Sequence, residues 1–358
     1  MLYVQRTRAL LEQMAQEGVD TVLLSVGADL PYLTGYEAIP LERLSMLVVD
    51  ATGCTLLVPE LEAPRVEPEE FEIVAWQETT NPLDVVAEMC PPNGSIAIGD
   101  QTWSVFLIGL VERLANARFR SATPLLRPLR ARKDAEEIRL LAAAAETVDR
   151  VSARLPSLRF QGRRERVVAR EITDMMIEEG HDQGQFWIVA SGPNSASPHH
   201  EPNDRIIEAG DVVVVDFGGR QAGYCSDTTR TFAVGQPTAE QIRVHATVLE
   251  AQQQALAACR PGATAESIDD VARRVIAEAG FGEYFIHRTG HGIGLETHEH
   301  PYLVEGNDEI LEPGMCFSIE PGIYLPGRFG VRIEDIVVMT ESGGRPLNNS
   351  DRSLRVVG

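Results

Sequence analysis

Five side chains in the C-terminal part of the chain have the chemistry of a cation site. Asp216 ends the apolar run Val212-Val213-Val214-Val215, and Asp227 follows in Ser226-Asp227-Thr228-Thr229. His291 lies in Thr289-Gly290-His291-Gly292-Ile293-Gly294, Glu320 in Ser318-Ile319-Glu320-Pro321-Gly322, and Glu334 in Val331-Arg332-Ile333-Glu334-Asp335. A carboxylate at the end of a valine-rich strand is costly to bury unless a positive charge meets it. Several such carboxylates in one half of a chain are most economically explained by a shared cation. Oxygen donors with one imidazole favour ions such as Mn²⁺, Co²⁺, Fe²⁺ or Zn²⁺. Two such ions ~3.5–4 Å apart could share a water, lower its pKa and polarise a substrate carbonyl. Four carboxylates and a hydroxide roughly balance two dications, an arrangement that one ion would not require.

The elements that carry these residues are strands joined by glycine-bearing connections. Asp216 and Asp227 sit on two strand candidates linked through Gly218-Gly219-Arg220-Gln221-Ala222-Gly223, and a hairpin there brings both carboxylates to one spot. Glu320 and Glu334 repeat the design around Pro321 to Gly327. His291 comes from a glycine-rich connection, where missing side chains let backbone approach a crowded centre. Helical periodicity predicts long helices over 131–155 and 165–180, then a pair over 238–258 and 264–280. Strands are expected at 186–190, 212–217 and 229–234. This half reads as α+β with an antiparallel sheet.

Upstream, apolar spacing predicts a helix over 3–18, strands at 22–25, 46–50, 55–58 and 96–99, and a helix over 103–114. Ala51-Thr52-Gly53 reads as a hairpin turn. Strands alternating with helices make this a small α/β domain. Thr123-Pro124 and Arg127-Pro128 break the pattern, so the expected domains are 1–125 and 126–358. A length of 358 residues suits two such domains, since single cores rarely exceed ~250–300 residues.

Composition excludes several function classes. A formal charge of -21 argues against a nucleic-acid partner, whose phosphates would be repelled. Part of that charge would be neutralised by divalent ions, and the rest reads as solvated surface, as in Glu67-Pro68-Glu69-Glu70. Lys133 is the single lysine, so there is no Gly-Lys-Ser/Thr phosphate loop and Schiff-base chemistry is disfavoured. Five scattered cysteines without Cys-x-x-Cys spacing suit a reducing compartment. No apolar run approaches the ~18 residues of a membrane span. The expectation is a cytoplasmic protein with no membrane partner.

The ordered motifs resemble the pita-bread metallopeptidases, in the branch of prolidase (Xaa-Pro dipeptidase) and aminopeptidase P. Besides the five motifs above, Leu129 to Ile138, Ser191-Gly192-Pro193-Asn194, His287-Arg288-Thr289-Gly290 and Arg332-Ile333-Glu334-Asp335 match in order. The resemblance implies a pita-bread catalytic domain behind a smaller α/β domain, and two divalent ions per chain, manganese first, with cobalt or zinc as alternatives. It implies that Asp216 binds one ion, that Asp227 and Glu334 bridge both, and that His291 and Glu320 complete the second. Glu320 would also be the general base. His199, preferred over its neighbour His200, and His298 would be catalytic histidines, stabilising the oxyanion and protonating the leaving nitrogen. Arg332 lies on the same strand face as Glu334 and is expected to orient carboxylates. His287 reads equally as substrate wall or structural partner.

The activity implied is hydrolysis of Xaa-Pro bonds, most simply in dipeptides, by a homodimer acting on small proline-containing peptides. An Xaa-Pro aminopeptidase acting on longer peptides is the alternative, and an inactive binding module a remoter one. Methionine aminopeptidases share Gly-His-Gly-Ile-Gly but seldom carry so large an N-terminal domain, and creatinase-like enzymes lose the ligand set. Other residues have plainer readings: His181, His245 and His300 as surface residues, Tyr32, Tyr36 and Trp76 as core, and Ala142 to Ala145 as a close helix contact.

Overall fold

The computed structural model describes residues 2–67 and 71–358, which fall into two compact units divided between Arg130 and Ala131. Glu67 is exposed, while Pro68, Glu69 and Glu70 of the acidic run lie outside the described residues.

The first unit comprises α1 (Leu2–Glu17), β1 (Thr21–Leu24), α2 (Asp29–Thr34), β2 (Met46–Asp50), β3 (Gly53–Pro59), β4 (Glu72–Trp76), α3 (Pro82–Met89), β5 (Ser95–Ile98), α4 (Ser104–Arg113), β6 (Arg118–Ser121) and α5 (Thr123–Ala131). Its sheet runs in the order β4-β3-β2-β1-β5-β6 and is parallel except where β2 pairs β1 and β3. The expected hairpin at 51–53 closes on Asp50, whose carboxylate accepts from Thr52 N (2.7 Å) and Gly53 N (3.2 Å). Tyr32, Tyr36 and Trp76 are buried, as a core reading requires.

The break expected at Thr123-Pro124 and Arg127-Pro128 is instead helix α5, so a boundary at 125/126 falls inside an element. Pro124 is harmless in the first turn, where an N–H has no intrahelical acceptor anyway. Pro128 forfeits one hydrogen bond, and complete burial of Leu125 and near-complete burial of Leu126 offset that loss. Tertiary burial overrode the local signal.

The second unit opens with α6 (Ala135–Arg154), started by a capping box in which Asp134 and Glu137 satisfy each other's backbone N–H groups. Then come α7 (Glu165–Glu179), β7 (Gln183–Ser191), β8 (Val212–Gln221), β9 (Tyr224–Cys225), β10 (Thr228–Val234), α8 (Ala239–Ala258) and α9 (Ala265–Glu278). The chain ends with β11 (Gly290–Gly292), β12 (Glu299–Leu303), β13 (Cys316–Ile319), β14 (Gly322–Leu325), β15 (Phe329–Arg332), β16 (Asp335–Thr340), β17 (Gly343–Pro346) and β18 (Arg355–Val357). One sheet orders β18-β10-β8-β7, with β9 also on β8, and another orders β12-β11-β13-β16-β17. Pairing in both is antiparallel except between β10 and β18, which fits the expected α+β class.

Apolar residues of α6 and α7 cover the first sheet and those of α8 and α9 cover the second. The sheets meet at a bridge between Thr229 and Glu334. Behind it, the buried Arg230 binds Asp335 Oδ1 (2.7 Å) and Glu334 O (2.6 Å), which fastens β10 to the start of β16. Two strand ends bearing candidate ligands are thereby held side by side.

Two histidines differ from expectation. His181 and His245 are buried rather than on the surface, and burial pushes each imidazole down to about 4. Such a group stays neutral in the fold and takes up a proton near 6.5 once unfolded. The stability it contributes is complete above about 6.5 and is lost as pH falls towards 4. A denaturant series between those limits is expected to show stability falling with acidity, with a shallower slope in His245→Gln. An unchanged slope would remove His245 from the account.

Candidate active site

Asp216 and Asp227 reach one place because β8 and β10 pair antiparallel with Asp216 opposite Thr229. Their connection turns back so tightly that a Cβ on Gly218 would lie 2.1 Å from Ser226 O, so only glycine fits there. Glu320 and Glu334 follow the same plan on the other sheet. Glu320 lies one residue beyond β13 and Glu334 one residue before β16, and these two strands pair. His291 is the centre of β11, flanked by Gly290, where a Cβ would sit 1.9 Å from Ser318 O.

All five side chains line one cavity of about 990 Å³. His291 Nε2 stands 3.1 Å from Glu320 Oε1 and 3.6 Å from Asp227 Oδ2. Donor atoms of Asp227, His291 and Glu334 all lie within 4.8 Å of one another. The His291 ring is oriented by Nδ1–H donating to Gly292 O at 3.0 Å, which leaves Nε2 to face the carboxylates.

The electrostatics of this cluster are unbalanced. Burial, then the charges of Glu334 and Asp216, raise the Asp227 carboxyl well above its ordinary value. Burial, then Glu320 and Asp216, do the same to Glu334. Burial also raises Asp216, although Arg332 opposes it. At Glu320 burial is outweighed by the hydrogen bond and charge of His291, with His287 and Arg332, and the carboxyl is held at about 2. Asp216 Oδ1, Asp227 Oδ1 and Glu334 Oε1 are buried with no hydrogen-bond partner among the described residues. Buried carboxylate oxygens are normally satisfied. Three orphans on carboxylates that line one acidic cavity, with an imidazole nitrogen in the same wall, fit a group that supplies positive charge and accepts lone pairs.

Arg332 braces the cluster from one side. It donates to Asp216 Oδ2 (2.5 Å), Thr229 Oγ1 (3.1 Å), Tyr324 OH (2.7 Å) and Pro198 O (3.2 Å). Thr229 Oγ1 in turn donates to Glu334 Oε2 at 2.7 Å. His287 is half-buried, with Nε2 2.9 Å from Tyr324 OH, and lines the cavity as well. His298 faces His291 with ring centroids 4.1 Å apart. His199 is exposed at the cavity wall. Its neighbour His200 is held through Nε2 by Glu165 at 2.8 Å.

Two contributors escaped sequence reasoning. Tyr324 links His287 to Arg332, yet a lone tyrosine in a strand carries no local signal. Glu165 is fully buried and accepts from Ser191 N and Oγ (both 2.7 Å), Asn194 Nδ2 (3.1 Å), His200 and Asn203 N (3.3 Å). It thus fastens both ends of the segment that carries Pro198 and His199. At the start of α7 it reads from sequence as an ordinary first-turn acid.

Comparison with known proteins places this geometry. The model described as Metallopeptidase family M24 matches residues 139–341, more than half of the chain. The chain belongs to this family. The model described as Creatinase/Prolidase N-terminal domain matches residues 6–132 of the same M24 chain. The probable dipeptidase PepE of Mycobacterium tuberculosis is 42% identical, with 99% of this chain and 97% of that protein covered. The Xaa-Pro dipeptidase of Pyrococcus furiosus is 36% identical, with 98% and 99% covered. Among solved structures, the recombinant prolidase from Thermococcus sibiricus superposes with a TM-score of 0.96 at 39% identity, all of both chains being covered. The fold is therefore a creatinase-type N-terminal domain followed along the chain by a pita-bread catalytic domain. An M24 metallopeptidase works with divalent metal ions, which agrees with the orphaned oxygens of the cavity.

Proposed function

We propose that this M24 chain hydrolyses the Xaa-Pro bond of dipeptides, using two divalent ions held by Asp216, Asp227, His291, Glu320 and Glu334. The observation that carries this reading is the convergence of these five side chains on one cavity with three carboxylate oxygens left without partners. Asp227, His291 and Glu334, whose donor atoms lie within 4.8 Å of one another, would hold the ions together with Asp216 and Glu320. When bound, the ions would polarise the scissile carbonyl and make water more acidic.

Around that centre the chain's own residues divide the work. Glu320, held ionised, takes a proton from the attacking water. His298, which burial pushes down to about 4 and so keeps neutral, and His199 donate hydrogen bonds to the developing oxyanion, and the imidazoles relay the proton held by Glu320 to the departing proline nitrogen. Arg332 keeps the Asp216 carboxylate in place through the buried guanidinium contact. An Xaa-Pro bond is a tertiary amide with no N–H. A site that demands no N–H donor from the scissile bond is suited to it, and this mechanism uses none.

Manganese is the first choice of metal, with cobalt or zinc as alternatives. The reading extends to a cytoplasmic homodimer acting on small proline-containing peptides. Among the described residues no helix is long and apolar enough to cross a membrane. Longer peptides, cleaved as by an Xaa-Pro aminopeptidase, are the alternative substrate; an inactive binding module fits less well with a complete ligand set. The test is chelation followed by return of Mn²⁺, Co²⁺ or Zn²⁺, with Xaa-Pro dipeptides and Xaa-Pro-Xaa tripeptides assayed side by side. Dipeptide turnover should vanish with the metal and return with it. Full turnover in the chelated protein would end the proposal.

A further inference from the structure

The cavity holds a second guanidinium that the chemistry above does not use. Arg288 lines it together with the candidate ligands. Unlike Arg332, which is committed to Asp216, Tyr324, Thr229 and Pro198, the Arg288 guanidinium has no hydrogen bond or ion pair among the described residues, where only the backbone carbonyl of Arg288 is engaged, by His287 Nδ1 at 2.7 Å. Its guanidinium lies over the Tyr302 ring, 4.3 Å from the centroid. Stacking of this kind fixes the plane of the group while leaving its edge N–H donors free.

The backbone on either side of Arg288 is pinned by one ion pair. Asp269 accepts from Thr289 N at 2.9 Å and binds Arg273, which donates to His287 O at 2.7 Å. Asp269 is fully buried, so the short segment 287–289 is anchored in the core. A stacked, half-exposed arginine with open donors at the wall of a carboxylate-rich cavity is placed to meet an anionic ligand.

We infer that Arg288 receives the C-terminal carboxylate of the substrate and makes the site selective for free dipeptides. This inference rests on the Xaa-Pro reading. In an Xaa-Pro dipeptide the carboxylate is attached to the carbon next to the scissile nitrogen, so cleavage brings it into the cavity itself. There it faces Asp216, Asp227, Glu320 and Glu334, and Glu201 also lines the wall. A fork of donors that accepts a carboxylate in its own plane offsets that repulsion. A peptide extended beyond proline, or a prolyl amide, presents no charge at that point and gains little from the guanidinium.

The experiment compares each Xaa-Pro dipeptide with its C-terminal amide in the metal-loaded wild type, Arg288→Met and Arg288→Lys. Circular dichroism confirms that each variant folds. For Arg288→Met, KM for the free dipeptide should rise by roughly 10- to 100-fold, the worth of a hydrogen-bonded charge contact. KM for the amide should stay within about twofold of wild type by the same argument, because the contact is absent there. Arg288→Lys should recover part of the preference for the acid. Equal losses on acid and amide, or no loss on either, would overturn the assignment. A wild type that cleaves neither would sink the Xaa-Pro reading instead. The Arg288 assignment would then be decided by calorimetric binding of the acid against the amide to wild type and Arg288→Met, equal affinities for both refuting it.

Discussion

Glu320→Ala is expected to lower turnover of Xaa-Pro dipeptides by roughly 10³-fold or more, because it removes both a proposed metal ligand and the proposed base. The fold should survive. The side chain is 15% exposed and its protein contacts are few: Ser318 Oγ donates to it at 3.0 Å, and His291 faces it at 3.1 Å. Loss of one negative charge from a crowded set also relieves repulsion on Asp227 and Glu334, whose carboxyls its charge helps to raise. Glu320→Gln separates the two roles. The amide keeps an acceptor for Ser318 but cannot take a proton, so it should be as inactive as alanine while unfolding at a temperature near wild type. Near-normal turnover in either variant would refute the role given to Glu320.

Glu165→Ala should produce the largest loss of stability, about 3 kcal/mol or more, since buried donors left without an acceptor each carry a desolvation cost. Ser191, Asn194, His200 and Asn203 all donate to this one carboxylate. Chemical denaturation would measure the change. Glu165→Gln should recover part of it, because an amide oxygen still accepts from the backbone N–H groups. Activity is expected to fall as well, since the freed segment carries His199 and the Pro198 carbonyl that contacts Arg332. A loss below about 1 kcal/mol, the size of an ordinary net hydrogen bond, would mean the network is not cooperative.

Much of the fold was open to inspection in the sequence where local period and turn chemistry agree with burial. The helices expected over 131–155 and 165–180 are α6 and α7, and the strands expected at 212–217 and 229–234 are β8 and β10. Capping residues Asp134 and Thr238 mark helix starts with side chains that bond the backbone within a few residues. Failures came where distant burial outweighed a local rule. Two prolines suggested a break, yet Leu125 and Leu126 sink into the first unit and the helix forms around them. His181 and His245 looked polar enough for the surface, yet both are enclosed.

The candidate site divides along the same line. Residue types, motif order and glycine placement are local properties, and they point to Asp216, Asp227, His291, Glu320 and Glu334 as candidates, which the fold brings to one cavity. Which oxygens lack partners, which carboxyls are raised and which are held ionised depends on charges that only folding brings together. Arg332 meets Asp216 across 116 residues, and Thr229 meets Glu334 across 105. The commitment of His200 to Glu165, 35 residues away, and the seat of Arg288 on Tyr302 likewise belong to the tertiary structure. A short-range pattern records which side chain a strand presents and on which face. Electrostatic state and hydrogen-bond partnership depend on distance through space, so they were settled only by the packing of one sheet against the other.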